Sequence, residues 1–271
     1  MKAVLLSGFA GAGKTALAEY IAKINSYQFS YILCHEWITA EDFFYSVDVS
    51  SIARKFAGDE IASLYSAGIL ARAVDRSKNK RVLVLIDEID KASTRIDALL
   101  LDFLQNCRVN SPTGELIYGR EDNIIVFLTS NGERELIDPL LRRIAKVELQ
   151  PLPSQVEKKL LADDSGEFYI DKVRQFIINY ITYSPVVYKN DTLQGLIVKV
   201  ADRIRSAELD ISLYELKQFY LHIPVCQSRR DVEILIEMWL CRTEEHKEVL
   251  QATFKSLKNL ASAIWQVYRE G

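Results

Sequence analysis

The nine residues SGFAGAGKT, at positions 7–15, constrain this chain more than any other stretch. Gly8, Gly13, Lys14 and Thr15, with Phe9, Ala10, Gly11 and Ala12 between them, fit the pattern G-x-x-x-x-G-K-[ST]. Glycines let backbone N–H groups converge on phosphate oxygens with no Cβ in the way. A helix that begins at Lys14 and continues through Thr15 and Ala16 adds its positive N-terminal end. Lys14 is then placed to reach the β- and γ-phosphates, and the Thr15 hydroxyl to ligate Mg²⁺. Such a loop has to join a buried strand to a helix. Before it, "KAVLLS" (2–7) is a short apolar run, and after it "KTALAEYIAKI" (14–24) carries Leu17, Ile21 and Ile24 at helical spacing. Strand, glycine loop and helix is the order a nucleotide cradle requires.

The same opening, "MKAVLLSGFAGA", also has the ingredients of a secretory leader, but its apolar run, Ala3 to Leu6, is shorter than such leaders use. Cysteines at 34, 107, 226 and 241 show neither pairing logic nor metal-ligand spacing. "HEWIT" (35–39) lacks the second His of a zinc helix, and "NDT" (190–192) matters only in a secreted protein. A chain of 271 residues with 49% hydrophobic residues can bury a sizeable core, split between two domains. The net charge of −3 provides no global basic field for nucleic acid or an anionic membrane, although a locally basic pore leaves nucleic acid open. Lys78, Lys80 and Arg81 read as a solvated loop. No apolar stretch reaches transmembrane length, so the expectation is a reduced, cytoplasmic protein without membrane insertion.

"RVLVLIDEID" (81–90) is a second constraint. Val82 to Asp87 hold no internal polar group, as in a strand covered on both faces, and acids stand at its carboxyl end. Open α/β sheets bind ligands there, so Asp87 is placed to hold Mg²⁺ beside the loop. Glu88, one step on, can deprotonate a water against the γ-phosphate, which favours hydrolysis over transfer to another substrate. The alternative is that Glu88 and Asp90 only solvate a strand end. "DNIIVFLTSN" (122–131) is another apolar strand, ending in Asn131, whose neutral amide could hold the attacking water or serve simply as a turn former before Gly132. In "ELIDPLLRRIAKVEL" (135–149), Arg142 and Arg143 are either surface salt-bridge formers or groups that stabilise transition-state charge in a neighbouring subunit.

In this order, "GFAGAGKT" (8–15), "VLVLIDEIDKA" (82–92), "IIVFLTSN" (124–131) and "DPLLRR" (138–143) resemble the AAA+ ATPases, within them the MoxR-like and dynein-related group. "AGILARAVDR" (67–76) and "QSRRDVEILI" (227–236) are similar to that group's helix before the acidic strand and to its second sensor segment. The resemblance covers residues 2–150 well and the rest loosely. It implies an α/β P-loop NTPase core (1–152), a five-stranded parallel sheet flanked by helices, followed by an all-α lid (153–271). It makes Asn131 the first sensor, Arg143 the arginine finger with Arg142 as alternative, and Arg230 the second sensor with Arg229 as alternative. An exposed basic pair on an amphipathic helix is the other reading of Arg229 and Arg230. Two features depart from the family. Almost nothing precedes the first strand to enclose an adenine, and Ile144, not Phe, follows the arginines.

Strands are expected near 3–7, 29–35, 82–87, 124–129 and 145–149. Of two inserts, 36–50 sets aromatics among acids and 108–123 reads as a hairpin. Trp37, Phe43, Phe44 and Tyr45 either contact a substrate or pack beneath their own loop. "QPLPSQ" (150–155) marks the domain boundary, since Pro151 and Pro153 interrupt strand and helix alike. Beyond it, 171–181, 192–204, 230–240 and 244–267 show helical periodicity, with their aromatics assigned to the core. The resemblance implies ATP with Mg²⁺, hydrolysis coupled to remodelling of a protein complex, and a ring of self-copies, a hexamer. It also implies a protein partner, one with an adhesion-type metal-dependent domain among the possibilities. A DNA-directed motor and an ATP-gated switch with negligible turnover are the rival readings.

Overall fold

The computed structural model describes residues 1–56, 64–153, 155–156, 168–185 and 188–270, so Ser154 of the boundary stretch lies outside the described residues. Strands run at β1 (Lys2–Ser7), β2 (Gln28–Leu33), β3 (Tyr45–Val47), β4 (Tyr65–Ala67), β5 (Val82–Asp87), β6 (Arg108–Asn110), β7 (Leu116–Tyr118), β8 (Ile124–Ser130) and β9 (Ala145–Glu148). One sheet takes the order β2-β5-β8-β1-β9, and the pairs β2/β5, β5/β8 and β1/β8 are parallel. These are the five strands expected, although β2 stops at Leu33, two residues short of its expected end. All six residues of β5 and all seven of β8 are buried, which is why neither alternates polar with apolar.

Register is what builds the working edge. Leu6 lies opposite Thr129 and Ser7 opposite Ser130, while Ile86 pairs with Leu128. The carboxyl ends of β1, β5 and β8 therefore stand flush and release Gly8, Glu88 and Asn131 on one side of the sheet, the usual ligand edge of open α/β folds. The helix Lys14–Ile24 follows β1 and buries Leu17, Ala18, Ile21 and Ala22, the i, i+3, i+4 stripe of a helix with one covered face.

The 36–50 insert folds into a short helix, Ala40–Phe43, and then β3, which pairs antiparallel with β4. Phe43 is buried and packs within the protein, so it leaves the set of surface-contact candidates, whereas Trp37 is 80% exposed. Close backbone approach explains Gly68: a Cβ there would stand 2.4 Å from the Phe43 carbonyl carbon and 2.5 Å from the Phe44 nitrogen. The 108–123 insert is the expected hairpin, β6 against β7.

The chain divides into two compact units, residues 1–140 with 150–152, and residues 141–149 with 153–271. In the second, helices run at Lys172–Thr182, Asp191–Ser206, Leu213–His222, Arg229–Trp239, Glu244–Phe254 and Leu257–Glu270. Their starts are chemically marked. Asp171, Asn190, Ser212, Ser228 and Thr243 each accept a backbone N–H from the first turn, and Ser212 with Glu215 and Ser228 with Asp231 complete capping boxes. The run 244–267 is two helices, because Lys255 adopts φ 64° and ends the first. Phe176, Tyr180, Phe219 and Trp239 are buried with Leu193, Val200, Leu235 and Ile264, so these aromatics form core. Among the described residues, no helix is long and apolar enough to cross a membrane.

Candidate active site

Gly8, Gly11 and Gly13 adopt φ values of 129°, 81° and 77°, a region that side chains resist. The Ala12 N–H donates to the Phe9 carbonyl at 3.2 Å and closes the turn between them, leaving Phe9, Ala10 and Gly11 exposed. Lys14 is buried at the start of the following helix. Its ammonium donates to the carbonyls of Gly8 (2.7 Å) and Phe9 (3.0 Å) and to Asn131 Oδ1 (2.6 Å). Burial lowers the Lys14 pKa, against the opposing pull of Asp87, Asp90 and Glu88. Thr15 Oγ1 lies 3.1 Å from both oxygens of Asp87, and Ala16, next along the helix, is exposed.

Asp87 closes β5 and is buried. Besides Thr15, it accepts hydrogen bonds from the Thr129 hydroxyl on Oδ1 and from the Tyr31 hydroxyl on Oδ2 at 3.3 Å. Burial, and then the charge of Asp87, raise the Tyr31 pKa. Glu88 has φ 54°, left-handed backbone in a residue that is not glycine. Its N–H donates to Thr129 Oγ1 at 2.9 Å. Its carboxylate accepts from Asn131 Nδ2 at 3.3 Å and pairs with Lys91 at 2.7 Å, which raises the Lys91 pKa. Asp90, also buried, accepts the backbone N–H groups of Asn131 (3.0 Å) and Glu133 (2.9 Å).

The loop from Gly8 to Ala16, Asp87, Glu88 and Asn131 are thus brought together through direct contacts. Arg142, Arg143, Arg229 and Arg230 belong to the helical unit. There Arg142 pairs with Asp210, and the Arg143 guanidinium lies 4.8 Å from the centre of the Tyr214 ring. Arg230 pairs with Glu233 at 2.6 Å, and Arg229 is exposed in the same first helical turn. Sequence reasoning did not assign roles to Thr129, Asp90, Lys91 and Tyr31. Asp90 and Lys91 carried a signal, since they stand two and three places beyond Glu88 in "DEIDK". Tyr31 carried none, because only the β2/β5 register brings it to Asp87.

The donor set fits a magnesium nucleotide. A hydroxyl and a carboxylate, Thr15 and Asp87, are hard oxygen donors, and Mg²⁺ takes one or two carboxylates together with substrate phosphates and water. Residues 3–144, just over half of the chain, match the AAA domain of the dynein-related subfamily. The chain belongs to that family. The matched span of this AAA protein includes the glycine loop, both acids, Asn131, Arg142 and Arg143, but neither Arg229 nor Arg230. It is 24% identical over 221 residues to the chaperone protein ClpB of Enterococcus faecalis, an alignment covering 77% of this chain and 23% of that relative. The crystal structure of a candidate ATPase from Cytophaga hutchinsonii is 16% identical and superposes with a TM-score of 0.55, over 98% of this chain and 84% of the other. That likeness shows the shared AAA+ fold, a parallel sheet flanked by helices with a helical region after it.

Proposed function

We propose that this AAA protein hydrolyses ATP with Mg²⁺ and uses the turnover to remodel a protein complex, in the manner of the MoxR-like group. The observation that carries the reading is the unbroken chain of contacts Lys14–Asn131–Glu88, with Thr15 on Asp87 alongside. A phosphate-binding ammonium, an amide and a carboxylate in that sequence suit attack of water on a terminal phosphoryl group. The donors of Lys14 and the backbone N–H groups of the glycine loop hold the phosphates. Thr15 and Asp87 would hold Mg²⁺, which supplies neutralisation of the phosphate charge. Asn131 orients the water and Glu88 accepts its proton. As the water oxygen bonds to the γ-phosphorus, the bond to the bridging oxygen breaks, and ADP and phosphate leave.

Arg143, with Arg142 as alternative, is our candidate for stabilising transition-state charge in the neighbouring copy of a ring, a hexamer, and Arg230, with Arg229 as alternative, for reporting loss of the γ-phosphate to the lid. The similarity to a protein named as a chaperone supports a protein substrate, and the exposed Trp37 is a candidate contact for it. By the group's habit, that partner is one carrying an adhesion-type metal-dependent domain, met in the cytoplasm. Replacement of Glu88 by Gln tests the core of the proposal. The variant should bind ATP as wild type does and lose about 10²–10⁴-fold in turnover, the range for removing a general base. Full turnover by Glu88→Gln would remove Glu88 from the mechanism and leave the reading without its base.

A further inference from the structure

We infer that Thr129 is a positioning residue whose one hydroxyl sets both acids of the site together, an inference that rests on the ATPase reading above. Thr129 lies on β8 with no exposed surface. Its oxygen accepts the Glu88 N–H at 2.9 Å, and its proton goes to Asp87 Oδ1. The direction of both bonds is fixed by chemistry. An ionised carboxylate only accepts and a backbone N–H only donates, so the hydroxyl has one arrangement that serves both.

Each bond has a separate consequence. Glu88 stands in left-handed backbone immediately before the short turn Ile89–Lys91, where its N–H has no place in a strand ladder. Thr129 gives that N–H its acceptor and so holds the backbone from which the Glu88 carboxylate swings toward Asn131. On the other side, Thr129 fixes the carboxylate plane of Asp87. Thr15 also touches Asp87, but a hydroxyl that ligates a metal turns its lone pair to the ion, and Thr129 remains as a fully buried donor to Asp87 Oδ1. Tyr31 donates to the opposite oxygen, at the longer distance of 3.3 Å.

Partners one step behind a metal ligand change metal affinity or activity by about 10–100-fold when removed. The test is the gain in affinity for a fluorescent ATP analogue when Mg²⁺ replaces EDTA, measured alongside turnover for wild type, Thr129→Val and Thr129→Ser. Valine keeps the branched shape and deletes the hydroxyl; serine keeps the hydroxyl. Thr129→Val should bind the analogue normally in EDTA, lose about 10–100-fold of the Mg²⁺-dependent gain, and turn over more slowly at saturating Mg²⁺. Thr129→Ser should restore both. A Thr129→Val protein with the wild-type Mg²⁺ gain overturns the inference, as does a serine variant as impaired as valine, which would assign the effect to packing of the methyl group. If circular dichroism shows Thr129→Val unfolded, Thr129→Ala carries the same comparison with Thr129→Ser. A wild-type chain that gains nothing from Mg²⁺ refutes the ATPase reading itself, and a wild-type gain preserved without the hydroxyl refutes only the role of Thr129.

Discussion

Replacing Arg134 with Met should destabilise the first unit severely, and the cause can be traced atom by atom. Asp97 has no exposed surface, and its two oxygens accept Arg134 Nη1 at 2.7 Å and Nη2 at 2.9 Å. The same guanidinium donates to the Ile89 carbonyl at 3.2 Å and to that of Glu135 at 2.9 Å. Methionine keeps much of the aliphatic stem and removes every one of these donors. Asp97 then keeps the Ile137 N–H at 3.1 Å but becomes a buried carboxylate stripped of the Arg134 counter-charge. Removing one partner of a buried ion pair costs about 3–5 kcal/mol. For a unit of this size that corresponds to a fall in Tm of roughly 6–20 °C. Thermal and urea unfolding followed by circular dichroism would read it. The reasoning also requires that neutralising the stranded acid helps. The double variant Asp97→Asn/Arg134→Met keeps an acceptor for the Ile137 N–H without burying a charge, and should recover at least half of the loss. A single variant within about 1 kcal/mol of wild type, below the range for a broken buried pair, or a double variant no better than the single, would refute the account.

Arg143→Ala should lose turnover by about 10³–10⁵-fold, the effect of an arginine finger, yet recover activity when mixed with Lys14→Ala subunits, because each copy then supplies what the other lacks. No recovery on mixing would count against a finger acting between copies, or transfer the role to Arg142. A pH-dependent prediction concerns Lys2, whose pKa is lowered to about 8 by burial and then by the charge of Arg81, with Asp122 opposing. The folded pKa lies below the unfolded value, so the cost of burying the charge is fully present below about pH 8 and disappears as pH rises toward the unfolded pKa. Lys2→Met should therefore be more stable than wild type at pH 7 by urea unfolding, with the gap closing between about pH 8 and 10.5; a gap independent of pH would exclude this origin.

Much of the site was legible because its chemistry is local in sequence. Gly8, Gly11, Gly13, Lys14 and Thr15 lie within one turn and the helix it opens, and the physics of φ > 0 and helix ends acts over just such distances. Asp87 and Glu88 were readable for a similar reason: an apolar run without polar interruption suits a strand covered on both faces, and acids at its carboxyl end then stand at the ligand edge of the sheet. The periodicity that marked most helices of the second unit did not show Leu213–His222, although Ser212 and Glu215 form its capping box. The long run 244–267 misled because apolar periodicity continues across Lys255, where the backbone turns left-handed without a glycine to announce it. For Phe43 the sequence left two readings open, and its burial decides for packing within the protein, since a loop rich in acids gives no sign of which aromatic turns inward.

What composition and spacing could not show is lateral. Thr129 meets Asp87 across 42 positions, Asn131 meets Lys14 across 117, and Tyr31 meets Asp87 across 56. Each of these contacts depends on the register of parallel strands, β1, β5 and β8 ending flush and β2 lying beside β5, and a slip of one residue between β5 and β8 would turn Thr129 to the opposite face of the sheet. No turn residue fixes that register, as it would in a hairpin, because helices and loops connect these strands. It is fixed instead by the buried faces of β5 and β8, whose side chains must interdigitate on both sides at once. The apolar residues from Val82 to Ile86 and from Ile124 to Leu128 are therefore part of what sets the geometry of the candidate site. They hold the polar groups at the strand ends at hydrogen-bond distance, and enlarging or shortening one of them should disturb Asp87, Glu88 and Asn131 together, without touching any of the three.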